Sequence, residues 1–227
     1  NIEYMTSSLS WTLIADGQEN DGSFDWLVPN TPSDSVSLRV IAFDTQSLTD
    51  TSEVGDCSII VVYPTITTID PASNYLTWRN KEILISFSQT MDPSTLIMDN
   101  ISIASNYSSS IYPMLSVLDN GTSIKLEFPK SFASYDTVTM TLSSDINNQS
   151  GYGLDGNGDE VPGDDYSFTF NIGMLADYDT TSTIDALDLA TFVQALEADD
   201  YYNELGPVTG TAPHFISTVD SVMDIED

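Results

Sequence analysis

Up to about residue 172, apolar side chains recur at every second position, in short runs closed by Gly, Pro, Asn and Asp. A period of two sends alternate side chains to opposite faces, so the pattern predicts half-buried antiparallel strands. In "TSIKLEF", Ile124, Leu126 and Phe128 face one way while Lys125 and Glu127 face the other. Val138, Met140 and Leu142 alternate with threonines in "TVTMTL", and Phe168, Phe170 and Ile172 repeat the arrangement in "SFTFNI". "LDNGTS" supplies a hairpin turn between two such runs. Short strands with turn signals at roughly 8–12-residue spacing predict a β-sandwich.

The strand pattern divides at "VVYPTITTIDP", where Pro64 interrupts one run and another begins. Ahead of it, "SLSWTLIA", "GSFDWLV", "SVSLRVIAF" and "CSIIVVY" supply about four strands, against the roughly seven of a full sandwich. The first domain, residues 1–63, is therefore expected to be a partial sandwich, entered part-way through or completed by another chain. A second sandwich is expected over residues 64–173. Trp11 and Trp26 are expected in the core, and Cys57 is expected to be a small buried side chain.

From residue 174 the period changes from 2 to 3.6. Leu189, Phe192, Val193 and Leu196 fall at i, i+3, i+4 and i+7, which predicts a helix starting near Asp185 whose apolar stripe needs covering. The stretch before it, "DYDTTSTIDALD", has the oxygen-bearing spacing of an EF-hand loop. The candidate ligands for Ca2+ are Asp177, Asp179, Thr181, the Thr183 carbonyl, Asp185 (directly or through water) and Asp188. Position 6, which normally demands Gly, is Ser182. A non-Gly residue can adopt the left-handed conformation at about 1–2 kcal/mol, a cost that ion binding can exceed. The competing reading is an acidic helix N-terminus in which Asp185 and Asp188 complement the helix dipole.

"DGNGDEVPGDD" offers a second candidate calcium site. Asp155, Asn157 and Asp159 are spaced at i, i+2 and i+4, Asp164 and Asp165 follow, and the glycines let the backbone curl its carbonyls inward. A solvated Asp/Gly hairpin loop has the same composition.

The chain carries 35 acidic residues against 5 basic ones, a formal charge of −30, and all five basic residues precede residue 131. Such a field repels phosphate backbones and anionic lipid, which argues against nucleic-acid partners. It suits divalent cations, and it also serves solubility by itself. One cysteine excludes an intrachain disulfide, and one histidine, His214, removes most routes to a Ser-His-Asp site or a multi-histidine zinc site. No long apolar span suggests membrane insertion.

Residues 174–227 also repeat internally. Thr181, Ser182, Asp185 and Asp188 recur 39 residues later as Asp220, Ser221, Asp224 and Asp227, with Ile184 echoed by Met223. The early acidic positions do not recur: Asp177 and Asp179 correspond to Ile216 and Thr218. Two loop-plus-helix units are implied, the second without a complete ligand set.

Three resemblances follow from these residues. The order Trp11-Thr, "NDGSFDWLVP" and "SVSLRV" resembles the second half of an Ig-like or fibronectin-III-like module. "ILISFSQTMDPSTL", with Phe87, Met91, Asp92 and Thr95 at the matching positions, resembles the signature of bacterial Ig-like domains of surface-layer proteins, and "GYGLDGNGDEVPGDDYSFTF" is similar to that family's segment before its last strand. Residues 174–227 resemble a type I dockerin with a truncated second repeat, which implies two calcium loops and helices that form a cohesin-binding face.

Together these readings predict a mainly β chain: two Ig-like antiparallel sandwiches, the first incomplete, and a small C-terminal helical, EF-hand-like calcium-loop module. The expected role is non-catalytic, a calcium-stabilised extracellular or cell-surface spacer and docking unit whose partners are cohesin-like domains or neighbouring copies of itself. The alternatives are a subunit of a surface layer or filament assembled by strand exchange, and a C-terminal appendage of a secreted hydrolase.

Overall fold

A computed structural model describes residues 1–7, 9–29, 31–108, 111–218 and 220–222. The chain divides into two compact units, Asn1–Val62 and Tyr63–Asp227.

The first unit is a single sheet. Strands β1 (Ile2–Met5), β2 (Trp11–Ala15), β3 (Ser33–Phe43) and β4 (Thr49–Ile59) are ordered β2-β1-β3-β4, with every pairing antiparallel. One face carries Ile2, Ile14, Leu38, Val40 and Val54, and Phe24 and Trp26 lie against it from the β2–β3 connection. The Trp26 ring packs 5.1 Å from that of Tyr4. The Arg39 guanidinium lies 4.1 Å over Trp11, and its Nε donates to Glu3 at 2.7 Å. A sheet buries a face only against a second layer. Among the described residues of this unit only Val36 and Ile59 are buried hydrophobics, while Val40 and Val54 stay about half exposed. Trp11, Trp26 and Cys57 are accordingly half-buried instead of lying in a closed core.

The second unit holds a two-layer sandwich. One sheet, ordered β5-β7-β10-β9, uses β5 (Ile66–Asp70), β7 (Glu82–Phe87), β9 (Met114–Leu118) and β10 (Ser123–Glu127). The other, ordered β6-β12-β11-β8, uses β6 (Tyr75–Leu76), β8 (Ile101–Ser105), β11 (Thr137–Leu142) and β12 (Tyr166–Ile172). All pairings are antiparallel except β6 with β12. Ile83, Ile85, Ile124, Leu126, Val138, Met140, Leu142, Phe170 and Ile172 meet between the sheets, the inward set that the period-2 alternation predicts. The 119–121 turn joins β9 to β10, with Gly121 at φ 94° and so close to Met91 that a Cβ would stand 2.6 Å from its carbonyl oxygen.

The "FSQTMDPST" signature has a physical role. Phe87 and Met91 enter the core. The Asp92 carboxylate accepts from Ser94 N at 2.9 Å and Ser94 Oγ at 2.8 Å, and Thr95 Oγ1 donates to Asp92 O while receiving Asn147 N. The motif turns the chain and ties it to the 147 loop.

Residues 174–222 contain the helix expected after the first loop and, ahead of the second, a hairpin that the sequence reading did not contain. They form helix α1 (Ala186–Ala198) and a hairpin of β13 (Val208–Thr211) and β14 (His214–Ser217). The second half becomes strand because "VTGT" and "HFIS" alternate around an Ala-Pro turn. Met223, Asp224 and Asp227 of the repeat lie outside the described residues.

Candidate metal centre

This C-terminal segment is anchored on the sandwich through a second, smaller core of Trp78, Leu175 and Tyr178, with Ala176, Phe192 and Leu205 packed around it. Trp78 and Tyr178 meet edge to face at 5.1 Å. Arg79 bonds across the junction, from Nη1 to Asn203 Oδ1 and from Nη2 to Tyr178 O, both at 2.9 Å, with its guanidinium 5.7 Å from the Tyr202 ring. Tyr178 is thereby fixed, and its neighbours Asp177 and Asp179 with it.

Asp177, Asp179 and Asp188 each present a carboxylate oxygen, and the three oxygens lie within 4.8 Å of one another. Asp177 and Asp188 are 1% exposed; Asp179 is exposed. Backbone N–H groups hold the two buried carboxylates in place. Asp177 accepts from Thr181 N at 3.0 Å and Ser182 N at 2.8 Å. Asp188 accepts from Tyr178 N at 2.7 Å and Asp185 N at 2.8 Å. The Asp185 N–H bond, with those from Tyr178 and Asp179, lowers the Asp188 pKa below the ordinary carboxylate value, against the opposing effect of burial. Asp177 Oδ1, Asp177 Oδ2 and Asp188 Oδ2 each accept one such bond and keep a lone pair, while Asp188 Oδ1 takes two, from Tyr178 N and, at 3.4 Å, Asp179 N.

The other loop positions are used differently. Ser182 stands at φ 66° and Thr180 at φ 62°, so Ser182 takes the left-handed turn that glycine would usually supply. Thr181 Oγ1 donates to the Thr183 carbonyl at 3.3 Å. Asp185 is the N-cap of α1: its carboxylate accepts from Leu187 N at 2.7 Å, outside the three-carboxylate group. With Asp188 at N3 bonding back to Asp185 N, the two form a capping box. The dipole-complementing cap and the carboxylate cluster are thus one arrangement.

This cap fixes which way the helix faces. Asp188 and Ala195 are the buried helix residues, with Phe192 half-buried, so the packed face is rotated by about one residue from the apolar stripe read in the sequence. Leu189 (62% exposed), Val193 (41%) and Leu196 (38%) face outward. Asp188 must enter the loop, and that requirement outranks the stripe.

In the second loop, Asp155, Asp159 and Asp164 form the other three-carboxylate group. Asp155 is buried and accepts from Gly158 N at 2.7 Å and Glu160 N at 2.9 Å, while Asn157 Nδ2 donates to Asp159 and Asp164 at 3.2 Å each. Asp165 does not join the group. It accepts from Ser144 N at 2.8 Å, because strand alternation sends neighbouring residues to opposite sides.

Sequence reasoning missed two buried carboxylates. Asp136 receives Ser105 Oγ and the Ser108 N–H and hydroxyl, which closes the loop after β8. Glu204, 0% exposed, receives the N–H groups of Asp220 and Ser221. A signal for Glu204 existed: with Ile216 at Asp177's place in the repeat, those N–H groups have no acceptor of their own loop at that position. His214 stacks on Tyr107 and its Nδ1 lies 2.9 Å from Ser134 O, a packing role at the hairpin. No helix among the described residues is long and apolar enough to cross a membrane.

No curated protein matches the chain. Among solved structures, the N-terminal part of the bacterial S-layer protein SbsC is similar at 16% identity and a TM-score of 0.33, over 48% of this chain and 24% of that one. Domains 1–6 of SbsC give 17% and 0.34 over 48% and 14%, and the LD transpeptidase LdtMt1 in complex with imipenem gives 10% and 0.32 over 49% and 41%. The chain therefore spans less than half the length of each. The family model described as "Bacterial Ig-like domain" matches residues 61–172, the span of the two-layer sandwich. Over residues 61–172 this chain is thus similar to the bacterial Ig-like domain family.

Proposed function

We propose that the chain is a non-catalytic extracellular structural module, stabilised by calcium, that spaces and docks parts of a larger secreted or cell-surface protein. The observation that carries this reading is the convergence of Asp177, Asp179 and Asp188 within 4.8 Å, two of them buried. Calcium accepts six to eight hard oxygens in flexible geometry, and every donor in the set is an oxygen. Thr181 and the Thr183 carbonyl complete the ligand set, and Asp185, whose carboxylate caps α1 outside the group, contributes through water. The Asp155, Asp159 and Asp164 group, with Asn157 beside it, is a second calcium site of the same kind.

The ion supplies positive charge in a half of the chain that has no Lys or Arg after residue 130. It also closes the loop on α1, whose outward Leu189, Val193 and Leu196 form the docking surface for a cohesin-like domain or a neighbouring copy. Calorimetry and circular dichroism with calcium and with EGTA test the reading. Binding to the folded state alone adds about 2.7 kcal/mol at a hundredfold excess over Kd, a rise of roughly 5–10 °C in Tm for a chain of this size. Equal Tm and helix signal in the two buffers refutes it.

A second reading, a filament or surface-layer subunit, is favoured by one observation: the first unit is a lone sheet with Val40 and Val54 about half exposed. Light scattering and electron microscopy at rising concentration decide it. Ordered fibres support assembly, and a persistent monomer excludes it.

A further inference from the structure

We infer that the turn at Asp220–Ser221 is a structural duplicate of the turn at Thr181–Ser182, in which Glu204 replaces Asp177 and holds the turn without a divalent ion. The contrast between the two turns rests on the calcium reading above; the duplication does not.

The duplication shows in three places. At Thr181–Ser182 one buried carboxylate, Asp177, receives two successive N–H groups, through Oδ1 at 3.0 Å and Oδ2 at 2.8 Å. At Asp220–Ser221 one buried carboxylate, Glu204, receives the two N–H groups 39 residues further on, at 2.6 Å from Asp220 and 3.1 Å from Ser221. The serine of each turn has the same left-handed backbone, φ 66° at Ser182 and φ 64° at Ser221. Left-handed serine costs about 1–2 kcal/mol, so its recurrence at matching positions marks a common turn geometry.

The source of the carboxylate differs. Asp177 lies four residues before Thr181. The corresponding residue of the second turn, Ile216, belongs to β14, where it pairs with Thr209, and its hydrocarbon side chain offers no acceptor. Glu204 reaches in from 16 residues upstream and supplies the same two acceptors. Glu204 is itself 0% exposed, and a buried carboxylate without hydrogen-bond donors is costly, which accounts for its place at this turn.

The charge around the two carboxylates also differs. Asp177 is faced by Asp179 and Asp188, an arrangement that needs an added cation. Glu204 instead lines a groove that holds the basic Lys81 and Arg79 as well as the acidic Glu82 and Glu127. Burial lowers the Lys81 pKa, and the Glu204 charge opposes that shift without overcoming it. Lys81 thus places a basic group of the chain itself in the groove that Glu204 lines. Removing the ion is expected to release the first turn and leave the second, so that β14 stays tied to the segment after α1 while the loop before α1 opens.

Amide hydrogen exchange at residues 181, 182, 220 and 221, with calcium and with EGTA, tests the inference on the whole chain. In the wild type, EGTA should speed exchange at 181 and 182 by about tenfold or more and leave 220 and 221 within about twofold. Glu204→Gln, which keeps one acceptor and loses the charge, should speed exchange at 220 and 221 by about tenfold in both buffers and leave 181 and 182 alone. The inference is overturned if EGTA exposes 220 and 221 in the wild type, or if Glu204→Gln leaves them protected. Should the buried substitution unfold the chain, the wild-type comparison decides alone. If EGTA changes none of the four amides, the calcium reading fails while the ion-independence of the second turn stands.

Discussion

The Asp188 carboxylate and the Tyr178 backbone N–H are ten residues apart in sequence and 2.7 Å apart in space. This bond closes the 177–188 loop, because the group that caps the helix from its first turn also reaches the start of the loop. Its pH dependence follows. Backbone N–H bonds hold the Asp188 pKa below its unfolded value, so its contribution to stability is complete above an unfolded pKa of about 3.9 and is lost as pH falls through the folded value. Asp188→Asn should lower stability at pH 7 and flatten its decline below about pH 4. Urea unfolding of both proteins at pH 3, 5 and 7, in EGTA, measures this; parallel pH profiles would sink the assignment.

Ser182 stands at φ 66°, so a residue without a Cβ fits its backbone better. Ser182→Gly is expected to stabilise the chain by about 1 kcal/mol, or roughly 2–4 °C in Tm, the relief of strain exceeding the added chain entropy. Ser182→Ala keeps the Cβ and serves as the control, with no gain. If the two variants melt together, the turn is not strained.

Arg79 forms no carboxylate pair among its described contacts; it bonds Asn203 Oδ1 and Tyr178 O and lies against Trp78, Tyr178 and Tyr202. A planar fork can reach two divergent acceptors while stacking on aromatic rings, and a lysine ammonium cannot. Arg79→Lys should therefore cost about 1–3 kcal/mol although it preserves charge, with a loss of near-ultraviolet dichroism from Trp78. Wild-type stability in Arg79→Lys would show that charge alone suffices.

The strands of residues 64–172 were legible because each inward residue, such as Met140 or Phe170, alternates with a hydroxyl or charged neighbour that has nowhere to go but solvent. The existence of α1 was legible for the same reason at a different period. Its orientation was not, because hydrophobic periodicity carries no information about a carboxylate that must turn inward: Asp188 set the helix face, and Leu189 was left at the surface. Loop spacing brought Asp177, Asp179 and Asp188 together on paper, but it also enrolled Asp185 and Asp165, whose carboxylates serve Leu187 N and Ser144 N. The repeat showed that the second turn lacks its own acceptor at Ile216, but not that Glu204 fills the place, because its partners lie 16 and 17 residues away across a hairpin that the expected loop-helix repeat did not contain.

Gly156 offers the sharpest test of how the 155–165 loop is built. A Cβ there would stand 2.3 Å from the Asp165 carbonyl carbon and 2.5 Å from Tyr166 N, atoms of the backbone that enters β12. Backbone cannot swing aside as a side chain can, so Gly156→Ala must separate the paired segments at Asp155 and Asp164, whose bridge includes Gly156 N bonded to Asp164 O at 3.1 Å. The expected cost is about 1–3 kcal/mol, together with loss of any cation affinity that depends on Asp164 lying near Asp155 and Asp159. Gly158 is the internal comparison: it stands at φ 76° with nothing within 4 Å of a built Cβ, so Gly158→Ala meets only backbone strain of about 1 kcal/mol and leaves the carboxylates where they are. Terbium luminescence and thermal melting of both variants separate the two effects, and a Gly156→Ala chain that melts and binds like Gly158→Ala would show that the close approach of the two segments is dispensable.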